Sequence, residues 1–315
     1  MRLEGNKSDG KELIALCKTH YEHDHLELNR IHEFRQNYVP AKALWWYTRN
    51  SFVYKVLNMA LRRQDIHILF LFRSFICDVR DCLKTLNSSQ SMDKFCAYRG
   101  QLMSNQEISI LQNSIGQFIC VSSFLSTTIR RDTALFFLGE GQPDNNLQRV
   151  LFEIDVDGKR IHQNNTKTFA DIKEYSDFND EGEVLFMLGS IFRLKSIRLS
   201  SEKIWVIQMN LCNDDEHDLK EVLEQMGKQN GKGPTNLRSL GKLLWMMGEL
   251  ELSEKYYCRL INQLPGNGFW LEVLYEDLTR ITSQNRRYDE SLIWQKKLNE
   301  LESKSSLNNN KKQSK

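Results

Sequence analysis

The chain has no long hydrophobic run. Its densest one, Ile66 to Phe72, contains His67 and stops at Arg73. A membrane-crossing helix needs about 20 apolar residues in a row, so no membrane span or membrane partner is expected. The opening stretch, MRLEGNKSDGKELIALCKTH, lacks the apolar segment of a signal peptide. Proline (4) and glycine (16) are scarce in 315 residues, which excludes collagen-like and low-complexity readings. Neither sign of charge dominates: 43 Lys+Arg against 41 Asp+Glu leave a net charge of +2. Nucleic-acid-binding domains carry a basic footprint, so no nucleic-acid partner is expected. The seven cysteines (17, 77, 82, 96, 120, 212 and 258) are scattered, odd in number and without a CxxC pair. That pattern excludes a disulfide framework and fits a reducing intracellular, cytoplasmic setting. What is present is a chain 40% hydrophobic and 10% aromatic, able to bury a core and long enough for one large domain or two.

Composition divides the chain. Residues 1–90 read as a helical lead-in: between Ala41 and Arg63, Phe52, Val56 and Met59 form one apolar row and Val53, Leu57 and Ala60 the next, the spacing of a helix with one buried face. A more apolar helix is expected over Asp65–Leu86. Residues 91–212 turn to short β-rich runs, namely Phe95–Arg99, Phe118–Leu125, Arg149–Asp157, Glu183–Leu188, Ile191–Leu199 and Lys203–Cys212. A helix over Arg131–Leu138 interrupts them, and Asp157-Gly158 suits a hairpin turn. Such strands, without regular βαβ spacing, predict an α+β fold with a mixed β core of two packed sheets, not a doubly wound one. Residues 213–235 read as a short helix and linker, and residues 236–302 as helices. The Ser/Asn/Lys tail, 303–315, is expected to be disordered.

The C-terminal helices resemble tetratricopeptide repeats. Leu240, Gly241, Leu244, Gly248, Leu250, Ser253, Tyr257, Leu260 and Pro265 follow the small-and-large order of one unit. Tyr288, Ser291, Leu292 and Leu298 match the second helix of another, spaced by more than the standard period, which calls for an insertion near Gly266–Gly268. Such an array implies a protein partner at the repeats, though a generic helical hairpin remains the alternative.

Three motif-like stretches fail. Gly139-Glu-Gly141-Gln-Pro-Asp144 lacks the third glycine of a dinucleotide loop, and Gly227–Gly233 lacks the spacing and the hydroxyl of a P-loop. His20, Glu22, His23, Asp24 and His25 crowd together, but a zinc site wants a third well-placed ligand and a supporting shell. No metal is expected.

The informative constellation comprises Tyr98-Arg99-Gly100, then Phe124-Leu125-Ser126-Thr127-Thr128, then Asp180-Glu181-Gly182-Glu183-Val184-Leu185-Phe186. At strand periodicity Glu181 and Glu183 share one face, while Val184 and Phe186 reach the core on the other. Neighbouring carboxylates repel, so a cationic or electron-poor partner between them is a reason to keep both.

In this order the pieces resemble the arginine-specific mono-ADP-ribosyltransferases of the R-S-E class, which use a strand Arg, a Ser-Thr-Ser strand and a Glu-x-Glu before Val-Leu. The likeness includes the helical lead-in Leu44-Trp-Trp-Tyr-Thr48 and spans roughly residues 30–210. The third residue of the Ser-Thr-Ser element is here Thr128. The resemblance implies transfer of ADP-ribose from NAD to the arginine side chain of a target protein, with release of nicotinamide. It implies that Glu183 is the catalytic glutamate facing the oxocarbenium-like cation, and that Glu181 aligns the guanidinium. It implies that Arg99 holds NAD, that Gly100 lets NAD approach the backbone, and that Ser126 positions the nicotinamide ribose and Glu183. Phe136, Phe137 and Phe178 are candidates for stacking on nicotinamide, and Tyr175–Asp180 for a target-contacting turn. An NAD glycohydrolase on the same scaffold, and a non-catalytic helical-repeat interaction protein, are the alternatives.

Overall fold

The computed structural model describes residues 7–90, 93–139, 146–158, 168–177, 182–213, 220, 237–264 and 269–313. The chain divides into two compact units, one over Glu4–Lys232 and one formed mainly by Gly233–Lys315. Among the described residues no helix is long and apolar enough to cross a membrane.

The first unit opens with six helices: α1 Lys7–His20, α2 His25–Asn37, α3 Ala43–Thr48, α4 Phe52–Arg63, α5 Ile66–Leu71 and α6 Arg73–Ser89. Asp24, from the histidine-rich cluster, caps α2 by accepting from Glu27 N at 3.0 Å, the usual use of Asp at that position. No group of three His, Cys, Asp or Glu able to hold a metal occurs among the described residues. The two apolar rows of α4 are buried through Phe52, Val53, Val56, Leu57 and Ala60. Buried Glu27 fixes the start of this helix, accepting from Phe52 N (2.9 Å) and Lys55 Nζ (2.6 Å). The single helix expected over 65–86 is two, α5 and α6, meeting at Phe72.

Eight strands follow: β1 Lys94–Ser104, β2 Phe118–Val121, β3 Leu125–Thr128, β4 Leu147–Asp157, β5 Phe169–Asp171, β6 Glu183–Phe186, β7 Ser190–Leu199 and β8 Trp205–Leu211. Their order is β2-β7-β8-β4-β1-β3-β6-β5. Among the described residues only β4 and β8 pair in parallel. The expected two sheets are two halves of one hydrogen-bonded sheet, joined between β1 and β3 at a single register pair, Tyr98 with Thr128. The halves face each other across a shared core. Phe186 of β6 packs on Phe192 of β7 at 5.7 Å, and Phe95 of β1 on Phe169 of β5 at 5.7 Å. Val184 and Phe186 belong to this core, as strand alternation predicts.

Among the described residues the helices α7 Asn105–Gln112 and α8 Arg131–Leu138 lie between strands. The first begins at a capping box between Ser104 and Glu107. The run expected as one strand over 118–125 is broken, so Ser126–Thr128 belong to a strand of their own, β3, which ends at Thr128. The hairpin placed at Asp157-Gly158 extends outside the described residues.

The second unit holds α9 Leu237–Met246, α10 Leu250–Ile261, α11 Phe269–Gln284 and α12 Tyr288–Gln313. Ser253 Oγ donates to Gly241 O at 2.8 Å, and Ser291 Oγ donates to Thr279 O at 2.9 Å. Both partners are displaced by the same step (291 − 253 = 279 − 241 = 38). The same step relates the two inter-helix turns, where Gly248 and Arg286 both have positive φ. Gly241 lies so close to Tyr257 that a Cβ would meet its ring at 2.8 Å. Two helical hairpins therefore repeat. The tail expected to be disordered continues α12 as far as Gln313; residues 303–313 contain neither Pro nor Gly to interrupt a helix. The linker proposed over 213–235 lies almost wholly outside the described residues.

Candidate active site

Arg99 rises from β1, Ser126 from β3 and Glu183 from the first position of β6. In the β3–β6 register Ser126 faces Leu185 and Thr128 faces Glu183. Side chains two apart share a face, so Ser126 and Glu183 are diagonal neighbours within reach of a hydrogen bond. Ser126 Oγ donates to Glu183 Oε1 at 2.6 Å. Arg99 Nη1 donates to Ser126 O at 2.8 Å and its Nε to Gln101 Oε1 at 3.2 Å. The guanidinium has five donors, and the others have no protein partner among the described residues.

These residues line a cleft of about 500 Å³, together with Tyr47, Asn50, Tyr54 and Phe137. The lead-in helices supply its far wall. Tyr47, buried on α3, stacks near Phe124 (4.9 Å between ring centroids) and donates to Asn58 Oδ1 at 3.3 Å. Of the proposed stacking aromatics, Phe137 lines the cleft and Phe136 is exposed; Phe178 lies outside the described residues.

Glu183 is only 7% exposed. Its second oxygen, Oε2, accepts from Ser176 Oγ at 2.9 Å. Burial pushes its carboxyl above the ordinary range; the Ser126 and Ser176 hydroxyls and the Arg99 charge work against that, while Asp171 adds to it. The two hydroxyl donors and the nearby guanidinium favour the ionised form of this carboxyl, against the burial that disfavours it.

Gly100 is required by packing: a Cβ there would run into the carbonyl oxygen of Ala134 and lie 2.8 Å from Leu138 Cγ. Helix α8 fills the side on which a Cβ would sit, and Gly100 also lines the cleft. The placing of Glu181 and Glu183 on one face by strand periodicity falls on Glu181, which lies outside the described residues; Gly182, between them, has φ +58° and β6 begins at Glu183. A left-handed residue turns the chain, and alternation cannot be carried back across it. Ser176, Tyr47, Asn50 and Tyr54 were not singled out from the sequence. Ser176 sits within the Tyr175–Asp180 turn, but nothing in its spacing marks it as a partner of Glu183.

No protein-family model matches the chain, and no curated protein matches it. Similar solved structures include the ADP-ribosyltransferase Vis in complex with agmatine. It has 19% identity and a TM-score of 0.43, covering 68% of this chain and 90% of that one. The ADP-ribosyltransferase HopU1 of Pseudomonas syringae has 17% identity and a TM-score of 0.44, covering 67% and 100%. The C3 exoenzyme of Clostridium limosum has 15% identity and a TM-score of 0.42, covering 65% and 95%. Likeness at this level does not decide chemistry, which has to come from the cleft.

Proposed function

We propose that this chain is an NAD-dependent mono-ADP-ribosyltransferase that modifies arginine side chains of target proteins and releases nicotinamide. The observation that carries the reading is the meeting of Arg99, Ser126 and Glu183 in one cleft, although 27 positions separate the first two and 57 separate Ser126 from Glu183.

NAD supplies an ADP-ribosyl group on a bond to nicotinamide that breaks as positive charge develops on the ribose. Glu183 presents an anion to that charge. An anion already fixed in place lowers the barrier because no reorganisation accompanies the reaction. Ser126 holds Oε1 of Glu183 and sits where a ribose hydroxyl can be oriented. The donors of Arg99 that have no partner among the described residues form a rigid fork suited to phosphate or ribose oxygens, and the cleft has the volume to admit a nucleotide. Glu181, two residues before Glu183, is assigned the incoming guanidinium. That group is protonated up to about pH 12 and has to be aligned and relieved of a proton as its bond forms. The paired hairpins of the second unit, read as tetratricopeptide units, are assigned a protein partner and no chemistry.

The test incubates the purified chain with labelled NAD and poly-arginine or a free arginine analogue, scoring labelled acceptor and free ADP-ribose separately. Labelled acceptor is the expected product. Free ADP-ribose alone would replace transferase by glycohydrolase, and neither product would remove the reading.

A further inference from the structure

Ser126 occupies only one oxygen of Glu183. The terminal torsion of a glutamate is soft, so a single hydrogen bond leaves the plane of the carboxylate free to swing. The other oxygen is not left to solvent. Ser176, only 5% exposed, donates its hydroxyl to Oε2 at 2.9 Å.

The two hydroxyls come from different elements. Ser126 belongs to β3, whereas Ser176 belongs to the connection from β5 to β6. That connection is tied down on both sides of Ser176. Ile172 N donates to Glu183 O at 2.9 Å, and Asp177 N donates to Thr48 Oγ1, at the end of α3, at 2.9 Å. Thr48 itself lines the cleft.

We propose that Ser176 is a positioning residue whose hydroxyl, opposite Ser126, fixes the plane of the Glu183 carboxylate in the cleft. This rests on reading Glu183 as the carboxylate that serves ADP-ribosyl transfer. Ser176 touches neither NAD nor acceptor in this role; it acts through Glu183.

Among the described residues the charged groups facing Glu183 are Arg99 from β1 and Asp171 from β5, with the Tyr47 phenol of α3 alongside. All of them remain when Ser176 is changed. A hydrogen bond to a carboxylate favours its ionised form. Removing the Ser176 hydroxyl therefore moves the Glu183 titration to higher pH.

The experiment compares wild type with Ser176→Ala, Ser176→Cys and Ser176→Thr, each with a thermal melt. The first readout is the 13C carboxyl titration of Glu183 in the full chain, assigned with Glu183→Gln. The second is NAD cleavage, as kcat and KM across pH. Ser176→Ala should raise the Glu183 titration midpoint, lower kcat about 10- to 100-fold, the range of a lost hydrogen bond to a charged group, and leave KM for NAD within about twofold. The acidic limb of kcat should move to higher pH with the carboxyl. Ser176→Cys, a weaker donor of similar size, should move both readouts in the same direction, and Ser176→Thr should restore both. An unchanged carboxyl titration in Ser176→Ala and Ser176→Cys overturns the proposal, as does a loss that Ser176→Thr fails to rescue. If wild type cleaves no NAD, it is the transferase reading that falls, and the titration still decides whether Ser176 holds Glu183.

Discussion

Replacing Glu183 by glutamine separates what the residue does for activity from what it does for stability. The substitution keeps the size of the side chain. Ser126 lies 2.6 Å from Oε1 and Ser176 lies 2.9 Å from Oε2. A serine hydroxyl both donates and accepts, so either can accept from the new amide while the other donates to its oxygen. The folded geometry therefore survives and the charge alone is lost. Activity should fall about 10²–10³-fold in kcat, the loss typical of one preorganised electrostatic group, and transfer and hydrolysis should fall together.

Stability should move the other way. The folded pKa of Glu183 is raised, with burial the largest cause. A group with a raised folded pKa contributes stability that is fully present below its unfolded pKa, about 4.3. That contribution is lost as pH rises through the folded value. Above that folded value wild type carries a buried charge that Glu183→Gln does not, so the variant should gain in melting temperature over wild type as pH rises. The difference should shrink as pH falls toward about 4. The assay is a pair of thermal melts from pH 4 to pH 8, run beside labelled-NAD turnover. Full activity in the variant would remove Glu183 from the chemistry. A difference in melting temperature that fails to grow from pH 4 to pH 8 would refute the account of its burial.

Glu181→Gln should reduce labelling of arginine while sparing NAD hydrolysis, measured in the same two-product assay; equal losses in both products would reduce Glu181 to a support for Glu183. Gly100→Ala should destabilise the first unit by about 1–3 kcal/mol through overpacking against α8, a fall of about 2–4 °C in melting temperature per kcal/mol for a unit of this size. A specific rise in KM for NAD with an unchanged melt would return Gly100 to the role of admitting NAD. Gly241→Ala, whose Cβ would meet the Tyr257 ring at 2.8 Å, should loosen the second unit, seen as faster hydrogen exchange in α9 and α10 with NAD cleavage unchanged.

Elements whose burial is periodic within one segment were legible before any coordinates. The α4 rows, the β4 and β8 runs and the α8 helix are examples, because each buries a face that its own spacing defines. What was not legible depends on partners far along the chain. Strand β5 is three residues long, Phe169–Asp171, too short to show alternation, and it exists because β6 pairs with it. Helix α7 starts at a capping box whose Ser104 and Glu107 are ordinary polar residues until the strand ahead of them ends. The joining of the two sheet halves through one register pair has no local signature at all.

The same division runs through the cleft. Arg99, Ser126 and Glu183 stand out because chemistry demands their residue types and the neighbouring strands give them recognisable flanks. Tyr47, Asn50 and Tyr54 come from helices whose spacing reads equally well as packing, and Tyr47 is indeed buried against Phe124 and Asn58 as well as lining the site. Gly182 stands between the two glutamates. Reading Glu-Gly-Glu as extended strand puts both carboxylates on one face, yet a glycine is the residue that most easily leaves the strand region, and here it does so at φ +58°. Ser176 nevertheless reaches Glu183 from seven residues upstream, where β5 pairs antiparallel with β6 through Asp171 and Val184. An extended strand of that length would carry Ser176 about 23 Å away. The antiparallel return of β5 beside β6, and no local spacing, is therefore what lets a second hydroxyl reach Glu183.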